Sequence, residues 1–142
     1  MRFSDSIKQI TEALVKVQSE LIQPKKDAIN PFHKSQYVTL EAVVGALKDL
    51  CLKNDLWYTQ GIVSNENGVG VQTAIFHNSG EYIVYDPFYL PLQQQTPQGG
   101  ASASTYARRY SLCAAFGIVA ETDDDGNFAS GTKQQQQKTV DF

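Results

Sequence analysis

Little in this sequence suits covalent or redox chemistry. Cysteine occurs twice, as Cys51 and Cys113, each in apolar surroundings with no CxxC and no histidine pair beside it. Two buried structural thiols are expected rather than a reactive or metal-binding pair. The two histidines, His33 and His77, lie in no recognisable catalytic sequence, and the many serines never fall in a G-x-S-x-G. A nucleophilic triad therefore has no support. Also missing is G-x-x-x-x-G-K-[ST], which disfavours an ATP-driven recombinase of the P-loop kind. No stretch resembles a signal peptide or an apolar span of about 20 residues, so a soluble cytoplasmic protein without a membrane partner is expected.

An excess of positive charge is missing too. The formal net charge is −3, from 12 Lys and Arg against 15 Asp and Glu. That sum argues against nucleic acid at first sight. Yet Glu121, Asp123, Asp124, Asp125 and Asp141 carry the acidic surplus, and the first 120 residues hold ten charges of each sign. Charge arrangement, not total charge, must carry any binding claim. From Pro87 to Ala120 there is no acidic residue, and the only formal charges are the adjacent Arg108 and Arg109. Two guanidiniums beside Tyr106 and Tyr110, with no local carboxylate, suggest a surface built to meet an anion.

What is present points to one folded domain. A chain of 142 residues with 42% hydrophobic residues, seven Tyr and seven Phe can bury a real core. Phe3, Ile7, Ile10, Leu14, Val17 and Leu21 recur at steps of three and four, predicting an amphipathic helix over 3–22 capped by Ser4 or Asp5. Residues 23–36 have no clean period and read as a surface loop. There Lys25, Lys26, His33 and Lys34 interleave with Phe32 and Tyr37, a pairing of phosphate-neutralising and base-stacking groups. A solvated loop would look much the same. A second helix is expected from an N-cap at Thr39 to about Asn54, with Gly45 implying a close approach.

Three β-rich runs follow, 56–64, 69–77 and 81–90, joined by short Asn/Gly turns. They predict a three-stranded antiparallel meander. A polar connection with two prolines and two glycines leads to a third helix over 101–116. Its small-residue stripe (Ala103, Ala107, Tyr110, Ala114) would lie against the sheet, and Gly117 would stop it. Gly99-Gly100 reads as a hinge whose free amides and helix dipole face an anion. The fold class is α+β. Residues 1–128 form the expected domain and 129–142 a disordered Gln-rich tail.

The turn Glu121-Thr122-Asp123-Asp124-Asp125-Gly126 invites a calcium reading, but an EF-hand needs a glutamate at loop position twelve, where Thr132 stands. A solvated cap, or a partner for a neighbouring subunit's arginines, is the stronger reading. A Mg2+ shared with a phosphate is weakly supported, and no metal site is assigned. Clustered carboxylates beside a lysine, as a metal-dependent nuclease needs, are represented only by Asp86 and this turn. Binding of DNA or RNA is better supported than enzymatic activity. Arg108 and Arg109 can fork onto phosphates, and Tyr106 or Tyr110 can stack on a base. Against this, adjacent helical positions point about 100° apart, so the pair need not act together.

The segment GGASASTYARRYSLCAAFGIVAETDDDGN resembles the signature block of the ERF (essential recombination function) family of phage single-strand annealing proteins. Upstream, NPFHKSQYVTLEAVVGALKDLCLKNDL resembles that family's other block. The resemblance implies a β-β-β-α core similar to the eukaryotic Rad annealing protein, assembling into rings or helical filaments. It implies ATP-independent binding and annealing of single-stranded DNA in phage recombination, with no cofactor required. It also implies a phage or prophage protein in a bacterial host, with a single-strand binding protein as a candidate partner. Thr105, Tyr106, Arg108, Arg109 and Tyr110 match the second block. Asn30, Pro31, Phe32, Lys34, Ser35, Tyr37 and Leu40 match the first, and Gln36 stands where the family often has a basic residue. The expected DNA contacts are Lys25, Lys26, Lys34, Tyr37, Thr105, Tyr106, Arg108 and Arg109. The alternatives are a metal-dependent nuclease and a purely structural assembly protein.

Overall fold

A computed structural model describes residues 1–32 and 34–122. His33, the aspartates of the acidic turn and the expected tail lie outside the described residues. The chain begins with a two-residue strand, β1 (Arg2–Phe3), and then enters helix α1 (Lys8–Glu20). The expected helix over 3–22 is therefore shorter at its start. Phe3 fits the helical period but pairs with Ile83 instead, and Ser4 Oγ accepts from the Tyr82 N–H at 2.9 Å. Neither Ser4 nor Asp5 caps α1. Glu81, only 8% exposed, does so from far along the chain: its Oε1 accepts the Ile10 N–H at 3.0 Å. A carboxylate at that end also complements the helix dipole.

The stretch expected to be a loop contains a small hairpin, β2 (Ala28–Ile29) and β3 (Gln36–Tyr37). Its turn is tightened by the Lys34 N–H on the Asn30 carbonyl at 2.8 Å and the Phe32 N–H on Asn30 Oδ1 at 2.9 Å. Helix α2 (Leu40–Lys53) starts where expected, because Thr39 Oγ1 accepts from the Ala42 N–H at 3.1 Å. Gly45 is different. A Cβ built on it meets nothing within 4 Å, so no close approach explains this glycine.

Strands β4 (Leu56–Asn65) and β5 (Gly68–His77) pair over their whole length. The expected third strand is two pieces, β6 (Tyr82–Val84) and β7 (Phe88–Leu90), both antiparallel to β5. Pro87, which has no N–H to give a ladder, lies in the break between them. The sheet order is β1-β6-β5-β4, with β7 also on β5. β7 passes so close to β5 that a Cβ on Gly70 would overlap the Phe88 carbonyl oxygen.

Helix α3 (Pro97–Phe116) begins four residues before the expected start. Thr96 caps it by accepting the Gly99 N–H at 3.0 Å, and Pro97 occupies the first turn, where its missing N–H costs nothing. Gly99 and Gly100 are thus inside the helix rather than a hinge before it. The helix stops at Gly117, whose φ of 76° is left-handed. All three helices share one core with one face of the sheet, centred on Ile10, Val17, Leu47, Ile75, Leu112 and Phe116. Ala103 and Ala107 lie in the buried part of α3, but Ala114 of the expected stripe is exposed. On the opposite sheet face Trp57 stacks on Phe76 at 4.3 Å and stays 55% exposed. Both thiols are free and buried, and burial pushes Cys51 up to about 11, which suppresses the reactive thiolate. Among the described residues no helix is long and apolar enough to cross a membrane.

Candidate nucleic-acid interface

The two arginines of α3 have opposite fates. Arg108 is exposed, and it lines an open depression of about 330 Å3 with Tyr58, Thr59, Gln60 and Ile62. Its backbone is fixed to the sheet: Gln60 Nε2 donates to the Arg108 carbonyl and to Thr73 Oγ1, each at 3.0 Å. Arg109, one step of about 100° further round the helix, is only 4% exposed. The expectation of an uncompensated pair fails here. Arg109 Nη1 and Nη2 both donate to Glu121 Oε1 at 3.3 Å.

Three rings enclose that guanidinium. Its Cζ lies 4.6 Å from the centroid of Tyr37, 4.7 Å from Tyr110 and 5.2 Å from Tyr106. Ring faces carry partial negative charge and a guanidinium is weakly hydrated, so this enclosure replaces water at modest cost. Tyr110 also donates to Glu121 Oε1. Burial and then that carboxylate push its phenol up to about 12, so it remains a protonated donor at neutral pH.

Glu121 arrives there because the chain reverses at Gly117 and runs back along the hairpin. The Val38 N–H donates to the Ala120 carbonyl at 2.9 Å, Tyr37 and Glu121 form an antiparallel bridge, and the Thr122 N–H reaches the Gln36 carbonyl at 3.3 Å. Gln23 fastens the same segment, donating to the Gly117 carbonyl at 3.0 Å and accepting the Val119 N–H at 2.9 Å. Glu121 thus pairs with Arg109 of its own chain.

Of the expected contact residues, the structure gathers Tyr37, Tyr106 and Arg109 into one cluster and leaves Arg108 and Thr105 on the exposed side of the same helix. The Thr105 hydroxyl donates to the Ala101 carbonyl at 3.0 Å. Tyr106 keeps 44% of its surface exposed and lies over Tyr110 at 6.3 Å. Lys25 and Lys34 are exposed and Lys26 is half-buried, on or beside the hairpin that carries Tyr37. Phe32, at the hairpin tip, is 89% exposed. Glu121 and Gln60 were not expected at the site. The only signal for Glu121 was that it is the first acid after a long acid-free stretch; Gln60 gave none.

Among the described residues, no three His, Cys, Asp or Glu side chains come together as a metal site requires. No curated protein and no solved structure matches the chain. The model of the ERF superfamily matches residues 10–141, a span holding the hairpin, strands β4 to β7, α3 and Glu121. The chain belongs to the ERF superfamily.

Proposed function

We propose that this protein binds single-stranded DNA and anneals complementary strands without ATP, as an oligomer, in phage recombination. Membership of the ERF superfamily over residues 10–141 carries the reading, because it supports a general role in recombination-related annealing. The exposed groups around α3 support a contact surface there. Arg108, Thr105 and the exposed part of Tyr106 lie on α3, with Lys34 and Phe32 on the hairpin and Lys25 just before it. Annealing requires that the backbone be neutralised while Watson–Crick edges stay free, so phosphate contacts and sequence-tolerant stacking are the suitable chemistry. The absence of a P-loop motif in the sequence favours independence from ATP.

Self-association has its own support. Among the described residues β4 ends the sheet order, so one edge of a ten-residue strand has no strand beside it there, with Ile62 68% exposed on that strand. Strand addition from a second copy would satisfy those backbone groups and line up successive Arg108 side chains. A single-strand binding protein is a further partner of the reading, and the setting is the cytoplasm of a phage host.

Titrating labelled single-stranded DNA at several salt concentrations tests the contact surface. Arg108→Ala is expected to weaken binding and to lower the salt slope by about 0.7 per lost phosphate contact. Unchanged affinity and slope in the folded variant would remove Arg108 from the interface. Adding Mg2+ to the same mixtures reads the nuclease alternative, since shortened strands would refute annealing without cleavage.

A further inference from the structure

We propose that Arg109 is a positioning residue: its buried guanidinium clamps the β2–β3 hairpin and residues 118–122 onto α3, and so fixes where the hairpin's Lys34 stands relative to Arg108. The second half rests on the DNA-binding reading above; the clamp itself does not. Three separate pieces of chain meet at this one side chain. Tyr37 comes from the hairpin, Tyr106 and Tyr110 from α3, and Glu121 from the segment after the helix.

A guanidinium offers two flat faces and an edge of N–H donors. Here rings lie within 4.6–5.2 Å of its carbon, and both terminal nitrogens donate to one carboxylate oxygen. With 4% exposure, no phosphate oxygen reaches Arg109 unless the cluster comes apart. The backbone bonds that the clamp protects are few. The Val38 and Thr122 amides join the hairpin to the returning segment at 2.9 and 3.3 Å, and a strand pair this short is marginal alone.

Glu121→Gln separates a clamp from a hidden phosphate contact, because the two make opposite predictions. Removing the carboxylate charge would release a phosphate-seeking Arg109, giving tighter single-strand binding and a steeper salt slope. A clamp instead loosens. Hydrogen exchange at the Val38 and Thr122 amides is expected to accelerate by about tenfold or more, while the Ile75 and Leu112 amides stay slow. Affinity for an oligothymidylate is expected to fall severalfold with no steeper slope. Tyr37→Leu should reproduce the faster exchange, and Tyr37→Phe, which keeps the ring face over Arg109, should leave the Val38 and Thr122 amides as slow as in the unmodified protein.

Tighter binding with a steeper slope overturns the proposal. So does unchanged exchange at Val38 and Thr122, equal acceleration at Ile75 and Leu112, or a loosened hairpin with full affinity. If the unmodified protein binds no single-stranded DNA, the functional reading fails, while the exchange measurements still decide the clamp.

Discussion

At the scale of single residues, environment decides the role of two side chains that are identical in chemistry. Arg108 and Arg109 are neighbours, yet one faces solvent and the other is enclosed by three tyrosines and a glutamate. Removing Arg109 strands Glu121 and leaves a gap among the rings. Arg109→Met is expected to cost about 2–3 kcal/mol by denaturant titration, at or below the range for a broken buried pair because Glu121 is one third exposed. A loss under about 0.5 kcal/mol would show that the cluster stabilises nothing. Tyr110 gives a pH signature. Its folded pKa is raised, so the stability it contributes is complete below the ordinary phenol value near 10 and is lost as pH rises towards about 12. Tyr110→Phe should lose less stability than the unmodified protein across that alkaline window. Parallel pH curves would contradict the hydrogen bond to Glu121. The adjacent arginines were legible in the sequence, but their division was not. It depends on a carboxylate twelve residues further on, brought back by a left-handed Gly117.

At the scale of elements, local signals succeeded where the chain's own neighbours decide the structure. Helix α2 was legible because Thr39 caps it and its apolar period runs without interruption. Thr39→Ala is expected to destabilise by about 1 kcal/mol in thermal or denaturant unfolding. Where distant partners decide, the signals misled. Phe3 continues a helical period, but the free edge of β6 takes it as strand; the cap of α1 is supplied by Glu81 from the turn before β6. The glycines at 99 and 100 look like breakers, yet Thr96 and Pro97 start the helix ahead of them. Gly70 marks the close passage of β7, which one continuous third strand did not anticipate. Gly70→Ala should cost about 1–3 kcal/mol or displace β7, since the new methyl also lies 2.8 Å from the Tyr89 Cα. Full stability with an unchanged β7 amide exchange pattern would show that β7 can move aside freely.

At the scale of the whole molecule, the charge of the first 120 residues is near balance and nine of their ten acidic side chains are exposed, so any nucleic-acid surface depends on where a few basic groups stand rather than on an excess of charge. Lys25, Lys34 and Arg108 are exposed, while the buried Glu81 caps a helix and Glu121 neutralises Arg109. The α+β class, the antiparallel strands and the ERF membership were readable from composition, period and the two sequence blocks. The meeting of those blocks was not, because no local rule places Tyr37 against a helix some seventy residues later. The proposed annealing role is most directly tested by mixing complementary oligonucleotides, with no ATP and no Mg2+, and following duplex formation over time. The protein should accelerate duplex formation well beyond the spontaneous rate, with ATP making no difference and Arg108→Ala slowing it. A rate equal to the protein-free control, or acceleration only when ATP is present, would contradict the proposal.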